Sequence, residues 1–331
     1  MSHLRIYGEV GKYLMRDTLE KHQVWLYLVA IAAGIVTGTR WDAVHAWEVA
    51  LWPLLGVLLY ATFTQVPLLH ISQAFRDRRF MAALVLGNFV LMPLVVWALV
   101  TLFALEGALR LGVLLVLLVP CTDWFISFAH LGRGDSAGAI AATPVLLLLQ
   151  IVLLPLYVVV IMGEQLVGAN LWAQWLPAFI GLILTPLLLA WLTEKGAERY
   201  SALQRTVTVM GSLPIPLLAA VVFLIAASQV QLVIDTRETL WQVAVIFVLY
   251  LLAAPLVGKL LSLLFRVPVA SSRTLVFSLG TRNSFVVLPL AIALPDIWAA
   301  AVVVIVLQSL IELLGMVAYL TWVPRLVKPP R

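Results

Sequence analysis

Cysteine is almost absent: Cys121 stands alone among 331 residues. No internal disulfide can form, and redox compartment is not legible from the chain. Charge is scarce too, with 21 Lys and Arg and 16 Asp and Glu making up 11% of residues, where a soluble domain carries about a quarter. The five histidines, His3, His22, His45, His70 and His130, are scattered, which argues against a histidine-built metal site. No phosphate-binding glycine loop and no ATPase-like soluble stretch is present, so transport by this chain would draw on a gradient or a partner. The first 22 residues are polar and lack the apolar run of a secretory signal. Nothing points to a cofactor, to nucleic acid, or to a particular oligomeric state.

Apolar residues fill the space that charge leaves. They make up 63% of the chain, and the mean hydropathy is +1.07. This is the composition of an integral membrane protein whose partner is the lipid bilayer. A spanning helix takes about 20 apolar residues, and ten such stretches are expected: 23–40, 46–70, 80–103, 108–131, 138–162, 171–193, 206–228, 239–264, 272–294 and 297–323. The longer ones fit by tilting. With these spans, 17 of the 21 basic residues fall on one side, three (Arg40, Arg110 and Arg237) on the other, and Arg282 inside a span. That bias predicts a multi-pass protein of the cell (inner) membrane with both termini cytoplasmic. Trp25, Trp41, Trp47, Trp172, Trp175, Trp241 and Trp322 lie near span ends and read as interface anchors.

The chain also echoes itself. Pro53-Leu-Leu is matched by Pro216-Leu-Leu, Gln65 by Gln229, and Pro93 by Pro255. Cys121-Thr-Asp123 is matched by Gly280-Thr-Arg282, and Gln150 by Gln308, all at separations of about 158–164 residues. Five matches in order predict two repeats: a cytoplasmic segment 1–22, a first five-helix repeat 23–162, and a second repeat 171–323. An odd number of spans per repeat makes the second inverted. Inverted repeats with a midplane site on broken helices are a transporter signature. The expected fold is all-α, with ten transmembrane helices in two inverted five-helix repeats. The breaks are visible as Pro120 in span four and as Gly280 followed by Thr281-Arg-Asn-Ser284 in span nine. These broken helices 4 and 9 are predicted to cross near the bilayer centre. The Gly132-Arg-Gly-Asp135 stretch reads as a turn ending in an N-cap for span five.

Asp123 and Arg282 stand out in this setting. A charge at the bilayer centre costs about 2.5–3.5 kcal/mol even on a lenient scale and usually marks function. Contact between the two is expected, as a static lock or as a pair remade during transport. Thr122, Thr281, Asn283 and Ser284 flank them, able to satisfy freed backbone or to line a solute path. Asn88, Gln65, Gln229, Gln150 and Gln308 read as interhelical hydrogen bonders, worth about 0.6 kcal/mol each. Glu312 is a second possible proton site beside Asp123. No paired catalytic groups at suitable spacing suggest an enzyme.

At these residues the chain resembles the bile acid/sodium symporter superfamily, and most closely its arsenical-resistance permeases, which export arsenite. The resemblance rests on Asn88-Phe with Pro93, on Leu117 with Val119-Pro-Cys-Thr122, on Gly134-Asp135 and on Asn283-Ser-Phe285. It implies arsenite or a related metalloid as substrate, with Cys121 as the thiol ligand. A nearby Arg282 would favour the thiolate. The chain also departs from the family. The glutamate that the arsenical permeases carry after the span-nine asparagine is replaced here by Phe285-Val286. The sodium-coupled branch resembles Glu-x-Gly-x-Gln-Asn-Ser, whereas this chain reads Ser278-Leu-Gly-Thr-Arg282-Asn-Ser284. Arginine offers only donors and stays charged, so Arg282 is expected to replace a bound cation and to end sodium coupling. Proton coupling through Asp123 is the expectation. The alternative is an organic-anion carrier with Arg282 as a bidentate clamp.

Overall fold

The computed structural model describes residues 25–41, 47, 49–162 and 176–328. The N-terminal segment 1–22 and the anchors Trp172 and Trp175 lie outside the described residues. Among those described, helices are joined by turns and short irregular segments, with one isolated β-bridge.

In chain order the helices are α1 (Trp25–Gly38), α2 (Leu51–Phe63) and α3 (Arg78–Leu102). Then come α4 (Gly107–Leu117), α5 (Trp124–Leu131), α6 (Ser136–Met162) and α7 (Leu176–Ala197). The chain continues through α8 (Ser201–Met210), α9 (Pro214–Ser228), α10 (Val230–Leu264), α11 (Val269–Gly280), α12 (Ser284–Ile292) and α13 (Ala300–Leu326). Among the described residues, five helices are long and apolar enough to cross a membrane: α3, α6, α7, and the stretches Thr239–Leu264 and Asp296–Leu326. The pair α8 and α9, bent by 45°, counts as a sixth if taken as one span. Helices α1, α2 and α4 are shorter. Of the tryptophans expected at interfaces, Trp25, Trp41, Trp47 and Trp241 are exposed.

Spatially the chain forms two compact units, each drawing on both halves of the sequence. The first comprises residues up to Gln65 together with Leu182–Ile234. In it the glycines of α1 allow close helix contact. A Cβ on Gly34 or Gly38 would run into the backbone at Phe223 or Ala227 of α9. Tyr60 and Thr193 share a hydrogen bond of 2.9 Å between α2 and α7, and Gln65 donates to the Val207 carbonyl at 3.1 Å.

The second unit comprises Val66–Gly181 and Asp235–Arg331, and it holds every residue singled out as a site. One structural device occurs in it twice. Proline has no N–H and leaves the carbonyl four residues earlier without its helical donor. In α3, Pro93 frees the carbonyl of Phe89, and the Tyr157 hydroxyl of α6 donates to it. In α10, Pro255 frees the carbonyl of Leu251, and the Tyr319 hydroxyl of α13 donates to it. The two sets of residues are separated by the same interval in sequence. In α3 the interruption also widens the helix into a π turn over Gly87–Leu91, which carries Asn88.

The turn after α5 is held as its sequence suggests. Asp135 Oδ1 accepts from the Gly138 N–H at 2.9 Å, capping α6. The same loop is docked onto α11, with Thr274 Oγ1 accepting from the Asp135 N–H at 2.7 Å.

Candidate functional site

Helix α4 stops at Leu117 and α5 starts at Trp124; α11 stops at Gly280 and α12 starts at Ser284. The two unwound segments meet. Pro120 and Arg282 form an antiparallel bridge, the Cys121 N–H donates to the Thr281 carbonyl at 3.2 Å, and the Asn283 N–H donates to the Val119 carbonyl at 2.8 Å. Unwound backbone in an apolar medium needs internal partners. Here each break supplies the partners of the other, which is a physical reason for two breaks to occur together.

Each downstream half-helix then restarts on its own polar residue. Asp123 Oδ1 accepts from the Trp124 N–H at 2.9 Å, and Asn283 Oδ1 accepts from the Val286 N–H at 3.3 Å. These are the side-chain types that cap helix N-termini. The caps are joined across the crossing: Asn283 Nδ2 donates to Thr122 Oγ1 at 3.1 Å. Thr281 turns its hydroxyl back to the Phe277 carbonyl at 2.9 Å. Beyond the breaks, Trp124 and Phe285 pack edge to face with centroids 5.4 Å apart.

The expected contact between Asp123 and Arg282 is not made, although both lie on the crossing segments. Asp123 is partly exposed and takes its hydrogen bonds from the Trp124 N–H and the Cys121 thiol, the latter at 3.0 Å. Arg282 is buried, and its Nη2 donates to Asn88 Oδ1 at 3.0 Å and to the Leu279 carbonyl at 2.6 Å. The reason lies in the local dipoles. The carboxylate sits on the positive N-terminus of α5, and the guanidinium reaches the Leu279 carbonyl at the negative C-terminus of α11. Each charge is met by a helix end instead of by the other charge. Cys121 is likewise not partnered as expected. Its thiol is a donor to Asp123, not a thiolate held by Arg282.

The acid nearest to Arg282 by hydrogen bonding is Glu312 of α13. Its Oε2 accepts from the Arg282 backbone N–H at 2.8 Å and from Gln308 Nε2 at 2.6 Å. Gln308 Oε1 in turn accepts from Ser284 Oγ at 2.9 Å. Ser284, Gln308, Glu312, Arg282 and Asn88 thus form one buried polar chain. Asn88 extends it, donating to Ser278 Oγ and to the Leu84 carbonyl, both at 3.1 Å. Gln150, matched with Gln308 by sequence, differs in fate: both of its amide atoms are buried without a hydrogen-bond partner.

Sequence reasoning passed over Tyr250. Its ring lies under the guanidinium of Arg282, 5.2 Å from centroid to Cζ, and its hydroxyl donates to the Leu279 carbonyl at 2.9 Å. A signal existed: Asn88 and Tyr250 each stand five residues before the matched prolines Pro93 and Pro255. Tyr157 and Tyr319 were missed although the same spacing relates them.

A family model described as the sodium bile acid symporter family matches residues 52–236, more than half of the chain. The matched region includes Asn88 and the break from Leu118 to Asp123, and it ends before the segment that carries Arg282. No curated protein matches the chain.

Proposed function

The chain belongs to the sodium bile acid symporter family and is a membrane transporter of that superfamily. From that premise we propose a secondary transporter that exports arsenite or a related metalloid species by alternating access, with proton rather than sodium coupling. In this reading the chain has ten spans in two inverted repeats, and the crossing lies near the bilayer centre with both termini cytoplasmic. The proline–tyrosine device, present once in each half of the chain, supports the repeat.

The observation that carries the cargo assignment is the Cys121 thiol at 3.0 Å from the Asp123 carboxylate, on an unwound segment. Trivalent arsenic is thiophilic, and arsenite is largely neutral near neutral pH. As sulfur bonds to arsenic, one arsenic–oxygen bond breaks. The thiol proton passes to Asp123 and on to the departing hydroxide, which leaves as water. Release runs in reverse, with water returning to arsenic and the proton to sulfur. A single thiol binds weakly enough to let the cargo go. Asp123 is partly exposed, so it is the group through which a proton from solution enters the cycle. Glu312, buried behind Arg282, is the second proposed coupling residue. Thr122, Thr281, Asn283, Ser284 and Asn88 hold the crossing and border the path.

The organic-anion alternative is less well supported by the geometry. Both two-pronged faces of a guanidinium share Nη2, and the Nη2 of Arg282 already donates twice to protein oxygens. A carboxylate clamp therefore lacks its fork.

The test is arsenite resistance of a sensitive host expressing Cys121→Ser, with protein level controlled. Resistance is expected to disappear. Full resistance in the serine variant removes the thiol from the mechanism, and vesicle uptake of organic anions in place of metalloid overturns the cargo assignment.

A further inference from the structure

The family takes its name from sodium, and the residues at this crossing do not fit a sodium ion. Hard cations are held by shells of oxygen atoms. Here Asn88 Oδ1 and the Leu279 carbonyl are taken by Arg282 Nη2, at 3.0 and 2.6 Å. The Ser278 hydroxyl, where the sodium-coupled branch would carry an acid, is occupied by Asn88 Nδ2. The Glu312 oxygen nearest the break is engaged by the Arg282 N–H and by Gln308.

What surrounds the guanidinium is itself a cation seat. It has two neutral oxygens and the face of Tyr250, whose hydroxyl also fixes the Leu279 carbonyl. An aromatic face attracts a cation most when water is excluded, and Asn88, Tyr250 and Arg282 are 0%, 1% and 3% exposed. The seat draws on matching points of the two proline-interrupted helices, Asn88 in α3 and Tyr250 in α10.

We propose that this is a latent monovalent-cation site occupied by the chain's own side chain. Arg282 is a tethered cation, and a seat emptied of it binds a small planar organic cation of the guanidinium type. Two oxygens and a flat ring suit a planar hydrogen-bond donor better than a bare sodium ion, which requires more oxygens. The inference rests on the transporter reading only for its consequence: a tethered cation never dissociates, so it cannot couple a sodium gradient to transport.

The test uses purified full-length protein in detergent and follows thermal unfolding. Arg282→Ala is titrated with methylguanidinium chloride against equal choline chloride. A saturable rise in melting temperature of about 2–4 °C is expected, with none in the wild type and none in Arg282→Ala combined with Asn88→Leu. No rise in Arg282→Ala, or an equal rise in the wild type, overturns the proposal. A second arm needs neither a variant nor a substrate: the wild type is titrated with sodium chloride against choline chloride. No sodium-specific stabilisation is expected, and a saturable one overturns the proposal even if Arg282→Ala does not fold. If methylguanidinium stabilises Arg282→Ala while vesicles carry no metalloid, the cargo assignment falls and the seat stands.

Discussion

Replacing Asn88 by leucine tests the polar chain at a residue that makes three of its hydrogen bonds. The two side chains have the same number of heavy atoms and the same branching, while three hydrogen bonds vanish. The bond from Arg282 Nη2, at 3.0 Å, is charge-assisted and buried; such bonds are worth about 1.5–3 kcal/mol. The donation to Ser278 Oγ at 3.1 Å links two helices and adds about 0.6 kcal/mol. The donation to the Leu84 carbonyl stays within α3 and adds about 0.5 kcal/mol. The expected destabilisation is about 3–4 kcal/mol. It is large because Nε and Nη1 of Arg282 already lack partners, which leaves Leu279 as the guanidinium's remaining acceptor. Equilibrium unfolding in mixed micelles measures this directly. Asn88→Asp keeps an acceptor facing the guanidinium and should lose much less. In a double-mutant cycle, Asn88→Leu and Arg282→Met should couple by about 1.5–3 kcal/mol. Additive effects, or a leucine variant within about 0.5 kcal/mol of wild type, would refute the placement of the guanidinium on Asn88.

Other outcomes follow from the same contacts. Asn caps a helix about as well as Asp, so Asp123→Asn should unfold within about 1 kcal/mol of wild type yet lose metalloid transport; an active asparagine variant takes Asp123 out of the proton path. Exchanging the charges, Asp123→Arg with Arg282→Asp, should restore neither stability nor transport, because the two side chains do not pair. Coupling above about 0.5 kcal/mol in that cycle contradicts the separate partners seen here. A Cβ on Gly280 would lie 2.5 Å from Tyr319 Cε2 and 3.0 Å from Met316 Cε, and Tyr319 is tied to the Leu251 carbonyl. Gly280→Ala should therefore lose about 1–3 kcal/mol, with much of the loss recovered in a Tyr319→Ala background; no recovery would point to a backbone cause instead.

Much of the second unit's architecture was legible because its causes are local. Pro120, and Gly280 with its polar run, predicted the breaks correctly, since a missing N–H and a polar run each weaken a helix locally, although Pro144, Pro155 and Pro255 sit inside helices that continue past them. Asp123 and Asn283 cap their half-helices for an equally local reason, although the sequence reading treated them first as site residues. The interplay of Pro93 with Tyr157 and of Pro255 with Tyr319 was harder to see. Each tyrosine lies more than 60 residues from the carbonyl it satisfies, and only the shared spacing betrays the pair. The expected Asp123–Arg282 contact failed because opposite charges in apolar surroundings suggest each other, while helix termini compete as partners and leave no trace in composition.

The sequence alone determined that this chain lives in a bilayer, where its long helices run and where two of them must break. Hydropathy, proline and capping residues act over a few positions, so a linear string carries them. Tertiary structure decided which acceptor each buried donor takes. It sent the thiol to Asp123, the Arg282 backbone to Glu312, and the guanidinium to Asn88, Leu279 and the face of Tyr250. A buried polar atom bonds to whatever lies within about 3 Å of it, and at the crossing of two broken helices several of those neighbours, Asn88, Tyr250 and Glu312 among them, come from segments far apart in the chain.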